Sequence, residues 1–230
     1  MDIFLIGLGK VGTAISNFLK KRNVEHKILQ KVPENVSGIL FLAVSDSAVS
    51  PLLSEILEKN PELFVVHFSA ATHFEDNCVF LLHPYSSINK RTELSQILFT
   101  LWGDKKPVFE EMLNKTGLNF VYCGKNPGPL YHASAVISGN FTQFFVLQAS
   151  ALLEKSGFTK EDSEKLLRQL VNSSLDNIFL DGKNGITGPA SRGENEVLSN
   201  EYNALNNENS ELALIFKAVN EAISRFCADK

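Results

Sequence analysis

The segment Gly7-Leu8-Gly9-Lys10-Val11-Gly12 constrains this chain more than any other, because of what flanks it. Asp2 to Ile6 reads as a short buried strand. Behind the glycines, Val11, Ala14, Ile15, Phe18 and Leu19 recur at helical spacing. Strand, tight glycine turn and helix are the setting that gives G-x-G-x-x-G a physical meaning. The first glycine permits the turn, the second lets backbone approach a diphosphate, and the third lets helix and strand pack closely. Unpaired N–H groups and the positive end of the helix dipole then face the anion. Gly7, Gly9, Lys10, Val11 and Gly12 are therefore expected to hold the phosphates of a nucleotide. The competing reading is a glycine-tolerant turn that binds nothing.

Beyond this unit, strands and helices alternate. His26–Leu29 fits a short second strand, and Gly38–Val44 is a continuous apolar run of the kind buried on both faces of a parallel sheet. A helix over 47–59 follows, with Ser45-Asp46-Ser47 placed to cap it. Leu63–Phe68, Val79–Leu82, Phe99–Trp102 and Phe120–Tyr122 read as further strands, with a helix over 107–116. This alternation predicts an α/β fold with a doubly wound, mostly parallel sheet. At Cys123-Gly124-Lys125-Asn126-Pro127-Gly128-Pro129 the character changes, and strand-like runs disappear. The expected domains are 1–125, nucleotide-binding, and 126–230, all-helical. In the second, helices are expected over 130–156, from Thr159 to about Leu170, over 173–180, 195–206 and 210–227. Leu180 to Glu194 is read as a glycine-rich loop.

A chain of 230 residues accommodates one such sheet unit and a modest second domain. Its net charge of −4 gives no basic stripe for a polyanion, so neither nucleic acid nor an anionic membrane is the expected partner. Cys78, Cys123 and Cys227 form no pair at motif spacing, which suits a reducing cytoplasm. No apolar run approaches the ~20 residues that span a bilayer. The chain opens on a strand rather than on a signal segment. No metal-ligand spacing is present.

The strand ends rank the polar residues, since ligands of open α/β sheets lie beyond the carboxyl ends of the strands. An NAD-specific unit carries an acid at the end of strand two. Here that point reads Leu29-Gln30-Lys31. Gln30 and Lys31 suit a 2′-phosphate, so NADP is expected and NAD is the alternative; a solvated surface lysine is the competing reading of Lys31. Val44 and Ser45 after strand three and Ser69 after strand four are expected to line the cofactor. His83, before Pro84, is expected at the substrate, whereas His67 still sits within an apolar run and is read as a core histidine. His132 and Asn140, eight residues apart on the long helix, share a face within about 80° at ~100° per residue. An imidazole can protonate a carbonyl oxygen that receives hydride, and an Asn amide can orient it. Arg192, in Thr187-Gly188-Pro189-Ala190-Ser191-Arg192-Gly193-Glu194, offers a fork for an anionic group; pairing with Glu194 is its alternative. His83, His132, Asn140 and Arg192 are thus the candidate catalytic and substrate-binding residues.

Taken together, the glycine turn, His83-Pro84, Tyr131-His132-Ala133-Ser134-Ala135, and Thr187-Gly188-Pro189 with Arg192-Gly193 resemble the bacterial Rossmann-like proteins whose C-terminal half is domain of unknown function 2520. That resemblance spans essentially the whole chain. It implies a fold similar to pyrroline-5-carboxylate reductase and the β-hydroxyacid dehydrogenases. It further implies an NAD(P)-binding domain followed by a helical domain that builds a homodimer. It implies no substrate. Glu194 and Tyr85-Ser86 depart from the pattern, and no Lys occurs between Lys125 and Lys155, so the lysine–asparagine pair of the β-hydroxyacid dehydrogenases is missing. The function expected is NADP-dependent hydride transfer with a small polar substrate between the two domains. The alternative is a non-catalytic dinucleotide-binding or sensor protein.

Overall fold

The computed structural model describes residues 2–228 apart from His73 and Lys90. It divides into two compact units, Met1–Phe144 and Phe145–Lys230.

In the first unit the apolar runs form a seven-stranded sheet in the order β2-β1-β3-β4-β5-β6-β7. The strands are β1 (Ile3–Ile6), β2 (Lys27–Leu29), β3 (Gly38–Leu42), β4 (Leu63–His67), β5 (Val79–Pro84), β6 (Leu98–Trp102) and β7 (Asn119–Gly124). All neighbours are parallel except β5 and β6, where His83 faces Thr100 across an antiparallel pair. Helices α1 (Lys10–Lys21), α2 (Asp46–Lys59) and α3 (Pro107–Asn114) connect them. Strand β3 is buried from Ile39 to Leu42 because α1 and α3 cover one face and α2 the other. One core holds Leu5, Phe41, Val66 and Phe80 with Ile15 and Phe109. The opposite core holds Phe4, Leu40, Leu42 and Val65 with Leu53 and Ile56. Helix α2 starts at Asp46, one residue before the expected 47, with Ser45 in the N-cap position, but the Ser45 side chain makes no capping bond. Its hydroxyl lies 3.5 Å from that of Ser47 instead.

After β7 one continuous helix runs from Gly128 to Lys155. It comprises α4 (Gly128–Ala135), a π-helical turn (Val136–Phe141) and α5 (Thr142–Lys155). By length and composition this helix is apolar enough to cross a membrane, and within the chain it is not buried. The sequence holds no unbroken apolar run here, because scattered Ser, Asn, Thr and Gln interrupt it without lowering its mean hydropathy below that of a spanning segment.

The second unit contains α6 (Lys160–Asp181), a 3₁₀ turn (Gly182–Gly185), α7 (Pro189–Arg192), α8 (Asn195–Glu208) and α9 (Ser210–Ala228). Two expectations are corrected here. Residues 160–181 form one helix rather than two, because the Ser173 and Ser174 hydroxyls bond back to the Leu170 carbonyl at 3.0 and 2.8 Å and are satisfied within the helix. Nor is the stretch 180–194 wholly loop. Pro189 opens a short helix after Gly188, and Gly193, at φ 72°, closes it in the left-handed region.

Candidate functional site

The glycine turn stands where the chain passes from β1 to α1. In the strand order, β2 lies on one side of β1 and β3 on the other, so the turn faces the topological switch point. The three glycines meet three different surroundings. Gly7 has φ 93°, and a Cβ there would lie 2.3 Å from the Ala43 carbonyl oxygen. A Cβ on Gly12 would lie 2.0 Å from the Gly7 carbonyl oxygen. Both are therefore fixed by tight packing between the turn and β3. A Cβ on Gly9 would meet nothing within 4 Å. Gly9 is also the N-cap of α1 and offers no side-chain cap, so the amides of the first turn keep their donors for a ligand. The residues present fit a diphosphate.

Around the turn, Lys10 is exposed and Val11 is half-buried. Val44 is half-buried and Ser45 exposed at the end of β3. Gln30 and Lys31 are exposed at the end of β2, and Lys31 makes no ion pair among the described residues. Ser69 is buried, with its hydroxyl 2.9 Å from that of Thr72.

A second cluster forms on the outer half of the sheet. Side chains alternate along a strand, so Leu81 and His83 of β5 share a face with their partners Trp102 and Thr100 of β6. Helix α4 lies across that face. The Tyr131 hydroxyl is 2.7 Å from His83 Nδ1 and 2.5 Å from Thr100 Oγ1. Thr100 Oγ1 also lies 3.3 Å from the His83 carbonyl oxygen. The Trp102 ring meets Tyr131 edge-on at 5.2 Å. Two residues further on, Tyr85 donates to Ser134 at 2.8 Å, and Ser134 donates to the Tyr131 carbonyl at 2.7 Å. These bonds seat the start of the long helix on β5 and β6.

His132, next to Tyr131, brings its ring to 6.4 Å from that of His83. Burial pushes the His83 imidazole down to about 4, and the neighbouring His132 adds to the shift. Asp46 opposes both. His83 is therefore neutral at pH 7. The structure thus brings His83 and His132 together. Tyr131 and Thr100, which complete the cluster, were not among the candidate catalytic residues read from the sequence; the 48-position separation of His83 and Tyr131 carries no local pattern that would pair them. His67, at the end of β4, is a core histidine as read, 3% exposed. Burial holds it down to about 4, and its Nδ1 has no hydrogen-bond partner.

Asn140 is exposed within the π turn. The π turn changes the regular phasing between His132 and Asn140. Such turns recur at functional sites. In the second unit, Arg192 makes a bidentate pair with Glu194 at 2.7 and 3.0 Å. Among the described residues no group of three His, Cys, Asp or Glu could hold a metal ion.

The family model described as Domain of unknown function (DUF2520) matches residues 97–223. Among curated proteins none matches. Solved structures similar in fold include a Bacteroides fragilis protein provisionally named an NADP oxidoreductase, with TM-score 0.75, 20% identity and coverage of 97% of this chain and 98% of that one. The pyrroline carboxylate reductase of Plasmodium falciparum, solved with NADP bound, gives TM-score 0.62 at 13% identity, covering 97% and 98%. A reductive aminase of Aspergillus terreus, in complex with NADPH and ethyl levulinate, gives TM-score 0.69 at 17% identity, covering 97% and 93%.

Proposed function

We propose, on the premise that this chain belongs to the DUF2520 family, that it is an NADP-dependent oxidoreductase acting on a small polar molecule. The observation that carries the reading is the open space before Gly9, framed by two glycines that pack against Ala43 and against each other's backbone. Lys10, Val11 and the free amides of α1 would hold the diphosphate. Gln30 and Lys31 would meet a 2′-phosphate; no carboxylate stands there for the bare ribose of NAD. Val44, Ser45 and Ser69 would line the rest of the cofactor. That the similar reductase and aminase were solved with NADP and NADPH supports this choice. When bound, the cofactor exchanges hydride with the substrate.

His83 and His132 orient the reacting group, with Tyr131 holding His83 in place. Asn140 adds an amide from the same helix. Arg192, in the second unit, is available to hold an anionic group once it leaves Glu194, an exposed pair that contributes little by itself. The free thiols of Cys78, Cys123 and Cys227 suit a cytoplasmic setting.

The chain works as a homodimer in this reading. Buried apolar residues described in the second unit are limited to Ala190, Leu212 and Ala213, while Leu170, Phe179 and Leu180 are 63–84% exposed. So much uncovered apolar surface marks an interface. A second copy is the better cover than a bilayer for the helix from Gly128, because its first turns are hydrogen-bonded to β5 and β6.

Fluorescence titration tests the cofactor assignment: NADPH binds saturably and more tightly than NADH. Saturable binding of neither ends the oxidoreductase reading. The absence of Lys between Lys125 and Lys155 favours a second reading, a dinucleotide-binding sensor. Binding without turnover across carbonyl, imine and hydroxyacid panels would select it.

A further inference from the structure

The hydroxyls around His83 can be counted, and the count favours one ring nitrogen for its proton. A neutral imidazole carries one N–H. Three contacts run in line: His83 Nδ1 to Tyr131 at 2.7 Å, Tyr131 to Thr100 at 2.5 Å, and the longer Thr100 to the His83 carbonyl oxygen at 3.3 Å. Tyr131 and Thr100 have one hydroxyl hydrogen each. If the proton were on Nε2, Tyr131 would donate to Nδ1 and Thr100 to Tyr131, and the contact to the carbonyl would stay empty. With the proton on Nδ1, His83 donates to Tyr131, Tyr131 to Thr100, and Thr100 to the carbonyl. Every contact is then filled, and each bond polarises the next. A bond at one ring nitrogen in this way decides the state of the other.

We propose that Tyr131 and Thr100 lock His83 in the Nδ1–H form, so that Nε2 faces the site as a bare acceptor and selects a substrate whose reacting centre carries an O–H or N–H, an alcohol or an amine. Nε2 makes no hydrogen bond within the chain among the described residues. Tyr131 is thus a positioning residue that acts through His83. The inference rests on the oxidoreductase reading for its substrate but not for its tautomer. The charged and titratable groups acting on His83 are Asp46, His132 and Tyr131, with Tyr85 beyond Tyr131. None of them is a carboxylate bonded to the ring.

Long-range ¹H–¹⁵N spectra of the full chain labelled at histidine nitrogens test it. The expected His83 pattern is a protonated Nδ1 and an unprotonated Nε2, unchanged from pH 8 to pH 5.5. Tyr131→Phe, and independently Thr100→Val, shift His83 toward the Nε2–H form while far-ultraviolet circular dichroism is retained. An Nε2–H wild type, or variants that leave the pattern unmoved, overturns the proposal; the wild-type spectrum decides alone if a variant fails to fold. With NADP⁺ present, cyclohexanol moves the Nε2 resonance and cyclohexanone does not. A response to the ketone at least equal to that of the alcohol, or none to either, overturns the substrate half. NADPH titration of the same samples separates the two readings, since failed cofactor binding removes the oxidoreductase and leaves the tautomer standing.

Discussion

Gly9 and Gly12 are three residues apart and answer to different constraints. Gly12→Ala forces a Cβ against the Gly7 carbonyl, so it is expected to cost about 1–3 kcal/mol of stability, read by urea unfolding, and to abolish NADPH binding. Gly9→Ala meets nothing in the free protein and sits at φ −67°, which alanine adopts readily. It should change stability by less than about 0.5 kcal/mol while weakening NADPH binding at least tenfold. Two variants with equal effects on both measurements would contradict the division of labour. The buried histidines give a pH signature. Burial lowers His67 to about 4, so between about pH 4 and 6.5 the unfolded chain binds more protons than the folded one. Stability therefore rises with pH across that window and falls on acidification, by on the order of 2–3 kcal/mol for His67. Urea midpoints at pH 7, 6, 5 and 4.5 check this, and His67→Gln should flatten the curve. The glycines were legible because a local turn demands them. The partners of His83 were not, because hydrogen bonds between distant segments leave no local pattern.

Elements were readable where a single periodicity dominates. Strand β3 announced itself as an apolar run because both faces are covered. Helix α6 reads as two in the sequence, parted between Leu170 and Ser173, whereas the back-bonds from Ser173 and Ser174 to Leu170 show one helix absorbing both serines. The π turn over Val136–Phe141 was invisible for a different reason: no residue pattern in that stretch separates it from an α-helical turn. At the start of α6 the Thr159 hydroxyl accepts from the Asp162 amide at 3.1 Å. Thr159→Ala is expected to cost about 1 kcal/mol, measured as a lower unfolding midpoint with the oligomeric state unchanged.

For the molecule as a whole, composition and element order sufficed for an α/β sheet unit followed by helices. They did not show how much apolar surface the helices leave bare. Light scattering after gel filtration should give about twice the 25.5 kDa of one chain. Leu170→Glu with Phe179→Glu should return it to the mass of one chain. The account nevertheless stands on the glycine turn as a diphosphate cradle. Its most direct test is calorimetric titration of the wild-type protein with NADPH, repeated on Gly9→Ala. The account predicts one saturable site per chain in the wild type and at least tenfold weaker binding in the variant. A wild type that releases no heat of binding, or a variant that binds as tightly, would contradict it.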